Sequence, residues 1–207
     1  MTTLYLIRHG ESEGNVQKII QGQTDYPLSE AGMLQAEKLG RAFAEVNLDA
    51  VYSSDLTRAA DTAAKIAGSI PVKEDMLLRE VFLGPLEGKT RAELEADYPE
   101  LAHKSVVTSG IPGTETFDML TERCRSFVHY LHHEHQDDHI ACVSHGGFIS
   151  ILLMYFIAGD AWHQWNRPFL IGNTGITKVY MDEMGQVKLH YTNDQCHLHD
   201  TISHTRG

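Results

Sequence analysis

Two short apolar runs, Thr3-Leu4-Tyr5-Leu6-Ile7 and Ile140-Ala141-Cys142-Val143, constrain the fold of this chain more than any other feature. Both are apolar at consecutive positions, as expected of strands buried on both faces, and such strands belong inside a parallel sheet covered by helices. Each run also leads into a polar segment with a His-Gly pair. Arg8-His9-Gly10 follows the first, and Ser144-His145-Gly146-Gly147 follows the second.

The rest of the chain alternates in the same way. Residues 29–45 read as a helix with Ser29 as N-cap and Ala31, Leu34, Ala36, Leu39, Ala42 and Phe43 roughly on one face. A second strand is expected over 49–52, then a helix over 56–67 capped by Ser54 or Asp55, with alanines that allow close approach to a sheet. A third strand near Val72 precedes a Gly-rich loop at 83–88, and helices are expected over 90–97 and 116–134. An apolar helix follows the second His-Gly pair. At the end, 175–182 and 187–193, joined by Glu183-Met184-Gly185, read as an antiparallel hairpin. The pattern predicts a three-layer α/β/α sandwich with a mostly parallel central sheet. No repeat or low-complexity linker interrupts it, so one domain over 1–207 is expected.

The balance of 17 basic against 28 acidic residues gives a formal net charge of −11, which repels nucleic acid and anionic membranes. The longest apolar stretch, Phe148 to Ala158, is about half of what a membrane-spanning helix needs. The first strand-like run begins almost at Met1 and leaves no room for a secretory leader. Cys124, Cys142 and Cys196 are widely spaced and form no C-x-x-C pattern, so they read as reduced thiols. A cytoplasmic protein is expected.

In an open α/β sheet, ligands sit at the carboxyl ends of the strands, so the two His-Gly pairs point both histidines toward one crevice. Arg8 places beside His9 a guanidinium suited to bidentate recognition of phosphate oxygens. Arg58, in the first turn of a helix that follows a strand, belongs near the same edge. Taken alone, Arg58 reads as an exposed helix charge and either histidine as structural.

Five ordered blocks make the chain similar to the histidine phosphatase superfamily, the phosphoglycerate-mutase-like group. They are Arg8 to Ser12 with Asn15; Gly22, Asp25, Pro27, Leu28, Ser29, Glu30 and Gly32; Ser53 to Ala63; Glu80 to Gly88; and Val143 to Gly147. The resemblance implies that His9 attacks phosphorus and becomes a phosphohistidine, dividing one displacement into two easier ones. It implies that Arg8, Arg58 and His145 hold the non-bridging oxygens, and their positive field should keep His9 unprotonated. It places the proton donor and acceptor at Glu80 and leaves Glu87 a structural role. Gly146 and Gly147 would let backbone N–H groups approach the bound anion, and Asn15, Gln21 and Gly22 would make further contacts. No metal or cofactor is implied. The partner is a small phosphorylated metabolite, without nucleic acid or membrane, and a homodimer is an assembly the residues leave open.

Mutases of this group usually carry a Tyr shortly after the catalytic Glu and an Arg-Arg pair. This chain has Leu83 at the first position and no Arg-Arg pair. Val106, Val107, Ile111 and Pro112 suggest a partly apolar mouth. A phosphatase is therefore expected. The alternatives are a cofactor-dependent phosphoglycerate mutase and a non-catalytic phosphate-binding module. The His-rich stretch 129–139 and the tail Cys196-His197-Leu198-His199-Asp200 with His204 resemble metal ligand sets, but read as a solvated helix end and a frayed terminus. Tyr155, Trp162, Trp165 and Phe169 read as core packing, with a substrate pocket as the other choice.

Overall fold

The computed structural model describes residues 1–103, 105–165 and 168–199. Its centre is a six-stranded sheet in the order β3-β2-β4-β1-β5-β6. The strands are β1 (Thr2–Arg8), β2 (Ala50–Ser53), β3 (Val72–Glu74), β4 (His139–Ser144), β5 (Ile176–Met181) and β6 (Val187–Asp194). β1, β4, β2 and β3 run parallel, and the terminal hairpin β5-β6 adds antiparallel to β1. The two runs first read as buried strands are thus direct neighbours, with Arg8 level with Ser144. The expected mostly parallel α/β sheet is the one observed.

Six α-helices are described: α1 (Glu13–Val16), α2 (Glu30–Phe43), α3 (Thr57–Ile66), α4 (Arg91–Asp97), α5 (Phe117–Glu134) and α6 (Gly146–Ala158). Period-two alternation sorts the sheet residues between two faces. Tyr5, Ile7, Val51, Ala141 and Val143 pack with Leu39 and Phe43 of α2 and Ala59, Ala63 and Ile66 of α3. Leu4, Leu6, Ile140 and Cys142 pack with Leu120, Cys124 and Phe127 of α5 and with most of α6. Every residue from Gly147 to Met154 is buried, which is why α6 is apolar on all sides. Trp162 is fully buried and donates to Thr121 Oγ1, so it is core, whereas Trp165 is 64% exposed.

Two expectations about helices are corrected. Ala31, Leu34 and Ala42 face solvent, and α2 buries Gly32, Ala36, Leu39 and Phe43. The helix sits close to α3, where a Cβ at Gly40 would stand 2.3 Å from the Lys65 carbonyl oxygen, so the buried stripe is narrow and rotated. Neither Ser54 nor Asp55 caps α3, whose N-cap is Leu56 without a side-chain bond. Asp25 supplies the cap instead, accepting from Thr57 N–H (3.0 Å), because Asp55 is bound to Arg79 and Ser54 to His145.

Candidate active site

β1 and β4 end side by side, and their ends deliver His9 and His145 with ring centroids 5.0 Å apart. His9 is 3% exposed and His145 fully buried. His9 Nδ1–H donates to the Gly10 carbonyl (2.6 Å), which leaves the ring's lone pair on Nε2. Burial holds His9 well below the usual histidine range, and the Arg8 and Arg58 charges push the same way. The expectation credited the charges; removal from water is the larger cause.

Arg58 is 1% exposed, and its guanidinium is held by three neutral acceptors. Nη1 donates to the Thr24 carbonyl (3.0 Å), Nη2 to the Gly22 carbonyl (2.8 Å) and Nε to His145 Nδ1 (3.3 Å). A guanidinium N–H can only donate, so His145 Nδ1 carries a lone pair and Nε2–H donates to Ser54 Oγ at 2.9 Å. His145 is thereby fixed in one tautomer. Burial again lowers its affinity for a proton, with Arg58, His9, Arg8 and Arg123 contributing in that order. Thr62 links the two motifs: its hydroxyl donates to the Arg58 carbonyl and accepts from Gly10 N–H.

Arg8 Nη1 donates to the Ile171 carbonyl (2.6 Å), while Nε is buried without an acceptor. A buried cationic donor with nothing to bond is costly unless an anion completes it. A Cβ at Gly146 would stand 3.3 Å from this side chain, so a glycine there lets Arg8 lie across the start of α6.

Glu80 reaches the same place from the loop after β3. Its carboxylate accepts N–H groups from Val81 (2.9 Å), Gly147 (3.0 Å) and Phe148 (2.9 Å). Within the first turn of α6, the N–H groups of Gly147 and Phe148 hold the carboxylate of Glu80 at the helix's positive end, and that of Gly146 is not among its donors. A Cβ at Gly147 would come within 2.5 Å of Glu80 Oε1, which explains the second glycine.

The remaining candidates lie around this group with different duties. Asn15 closes a capping box with Ser12 and accepts from Asn173 Nδ2, which also donates to the His9 carbonyl. Gln21 is buried, bonded through Oε1 to the Ser12 hydroxyl. Gly22 (φ 53°) offers its carbonyl to Arg58. Glu87 accepts from the N–H groups of Gln23, Thr24 and Leu83, fastening the two loops that carry Gly22 and Glu80.

Sequence reading missed Asn173 and Thr174. Thr174 is fully buried with φ 53°, unusual for a β-branched residue, and its N–H donates to the Arg8 and His9 carbonyls. The only cue was the turn composition of Gly172-Asn173-Thr174-Gly175 before β5. Ser54 was visible inside its block but was assigned to a helix cap.

Among the described residues no group of three or more His, Cys, Asp or Glu side chains could hold a metal ion. Within 129–139, His135 binds Asp138 and the Tyr52 hydroxyl, and His132 binds the Glu183 carbonyl. Asp200 and His204 lie outside the described residues. Cys124 and Cys142 are buried and Cys196 exposed, all unpaired. No helix among the described residues is long and apolar enough to cross a membrane.

The model of the histidine phosphatase superfamily, branch 1, matches residues 4–194. A metal-independent phosphoserine phosphatase of Arabidopsis thaliana is 36% identical over 165 residues, covering 74% of this chain and 68% of that protein. YhfR of Bacillus stearothermophilus superposes with a TM-score of 0.86 at 31% identity, over 96% of this chain and all of that one. A phosphoserine phosphatase variant from Entamoeba histolytica, solved with phosphoserine, gives 0.77 at 30% identity, with 96% and 100% covered. The chain belongs to branch 1 of the histidine phosphatase superfamily and is a phosphoric monoester hydrolase.

Proposed function

We propose that the chain hydrolyses small phosphate monoesters by two successive displacements at phosphorus, with His9 Nε2 as nucleophile. The observation that carries this reading is the buried, neutral His9 with Nδ1–H tied to Gly10 and Nε2 left free beside Arg8 and Arg58. In the first displacement the N–P bond forms as the ester P–O bond breaks, and Glu80 gives its proton to the leaving oxygen. In the second, water attacks phosphorus, Glu80 takes the water's proton, and the P–N bond breaks to release inorganic phosphate. Arg8 and Arg58 hold the non-bridging oxygens, over which the transferring group spreads its charge. His145 acts through Arg58 rather than on the phosphate oxygens, because its Nδ1 accepts from Arg58 and its Nε2–H is given to Ser54.

No step in this scheme needs a metal ion, and the Arabidopsis relative is named as metal-independent. The three unpaired cysteines fit a reducing compartment such as the cytoplasm. Phosphoserine is the first substrate to try, because the relatives above are named for it. The test is release of inorganic phosphate from phosphoserine, phosphoglycerates, sugar phosphates and p-nitrophenyl phosphate, ranked by kcat/KM. Acid-labile label on His9 is expected in the wild type and none in His9→Ala. Turnover retained by His9→Ala would overturn the proposal.

A further inference from the structure

A largely buried arginine outside the phosphate cradle is applied to the loop that carries Glu80. Arg123 of α5 is 10% exposed and pairs with Glu115, 7% exposed, Nε to Oε1 at 3.1 Å. Breaking such a pair is costly, yet a well-packed apolar pair would stabilise a fold at least as well. What the ion pair offers here is geometry.

Arg123 Nη1 donates to the Arg79 carbonyl (2.9 Å), with a longer contact to the Glu80 carbonyl (3.4 Å). The guanidinium also lies on the Phe148 ring, Cζ 4.2 Å from the centroid, and Phe148 N–H is one of the donors holding the Glu80 carboxylate. Glu115 secures the other side of the same loop: Oε2 accepts from Phe82 N–H (3.0 Å), and its own N–H donates to the Phe82 carbonyl (2.8 Å). The backbone before and after Glu80 is therefore tied to one ion pair, and so is the residue whose amide grips its carboxylate. Among the described residues, the only other side chain that donates to the Glu80 carbonyl is that of Gln23 (3.0 Å).

We propose that Arg123, together with Glu115, is a positioning residue for Glu80, setting where its carboxyl stands relative to the leaving oxygen without touching substrate. The inference rests on the reading of Glu80 as proton donor. Proton transfer requires hydrogen-bond reach, so a carboxyl displaced by about 1 Å loses much of its effect. The loss depends on the leaving group. An alkoxide needs the proton as the P–O bond breaks, whereas a nitrophenolate departs without one.

The experiment measures kcat/KM for p-nitrophenyl phosphate and for the best alkyl phosphate of the panel above. This ratio reports the steps up to transfer onto His9, so slow hydrolysis of phosphohistidine does not enter it. The proteins are wild type, Glu80→Gln, Arg123→Lys and the double variant Arg123→Met/Glu115→Gln, which leaves no orphaned buried charge. Both Arg123 proteins are expected to lose about 10- to 100-fold on the alkyl ester and less than about 3-fold on the nitrophenyl ester, the same selectivity that Glu80→Gln shows more strongly. Equal loss on both esters, or no loss on either, while Glu80→Gln stays selective, would make the pair a plain structural tie and overturn the inference. A Glu80→Gln protein that loses both esters alike would instead bring down the assignment of Glu80, and this inference with it. Should the double variant fail to fold, Arg123→Lys, which keeps the charge but loses the planar fork, decides the question.

Discussion

Lowering the pH from 7.5 to 5.5 is expected to remove up to about 3 kcal/mol of folding stability through His9 and His145 together. Both rings are buried and held well below the ordinary histidine range, by burial first and by neighbouring arginines second. The unfolded chain takes up a proton on each ring at about pH 6.5, while the folded chain does not. The unfolded state thus binds more protons below that point, and stability falls as pH falls, until the pH reaches the depressed folded values. Integrated over the whole window, each ring contributes about half of that total. Asp55 and Asp194, held below the usual carboxylate range by Arg79 and by the Cys196 N–H respectively, act only at lower pH. The half-buried His197 is also lowered by burial and adds a slope shared by all variants. Urea unfolding in phosphate-free buffer at a series of pH values, on wild type, His9→Asn and His145→Asn, isolates each ring. Phosphate is left out because an anion that binds only the folded state would mask the effect. Each variant is expected to lose less stability than wild type between the two pH values, by about half of the two-ring total. Identical pH slopes in variant and wild type would refute the reasoning.

Ser54→Ala leaves His145 Nε2–H buried without an acceptor and is expected to cost about 1–3 kcal/mol of stability, read by urea unfolding, together with a fall in kcat/KM. Gly22→Ala combines a φ of 53° with a Cβ 2.2 Å from Glu87 Oε1, so it should disturb both the loop clip and the carbonyl that holds Arg58. Lower Tm and weaker protection by vanadate would register it, and wild-type values for both would count against the clip. Glu87→Gln replaces one acceptor oxygen by a donor opposite backbone N–H groups and is expected to lower stability by about 1.5–3 kcal/mol. An unchanged urea midpoint would argue against that role.

The central parallel strands and the candidates that follow them, Arg8, His9 and His145, were legible in the sequence for a common reason, whereas Glu80 and the weight given to Arg58 came from the family resemblance. Buried parallel strands are written locally, as short apolar runs, and the residues after them must emerge at the carboxyl edge. His9 and His145 could be placed that way before any tertiary contact was known. What surrounds them is written elsewhere. Arg58 is positioned by the carbonyls of Gly22 and Thr24, and Arg8 by that of Ile171, and main-chain acceptors leave no mark on residue identity. Ser54 looked like a cap because serine before a helix usually is one; a partner 91 residues away claimed it. Gly146 and Gly147 signalled close approach, but only the fold decides that an arginine and a carboxylate do the approaching.

Two ways of holding an arginine show how a chain of net charge −11 keeps a cationic site. Arg79 and Arg123 each lie within ion-pair distance of a carboxylate, Asp55 and Glu115, which offsets much of their charge, although Arg123 Nε and Nη2 make no hydrogen bond. Arg58 is instead surrounded by two carbonyls and an imidazole nitrogen, with Asp25 no closer than 3.9 Å and 46% exposed. Arg8 has one carbonyl and a vacant Nε. Dipoles orient a guanidinium without neutralising it, so Arg8 and Arg58 keep nearly full charge away from bulk water, where a second charge interacts far more strongly than it would at the surface. Glu80 offsets part of both charges from within the fold, and the vacant Arg8 Nε is left for an anion from outside. A phosphate ester supplies it in the ground state. In the proposed transfer onto His9 the same donors would face the oxygens over which charge is redistributed, so it is the incomplete neutralisation of these two side chains that would supply the catalytic electrostatics.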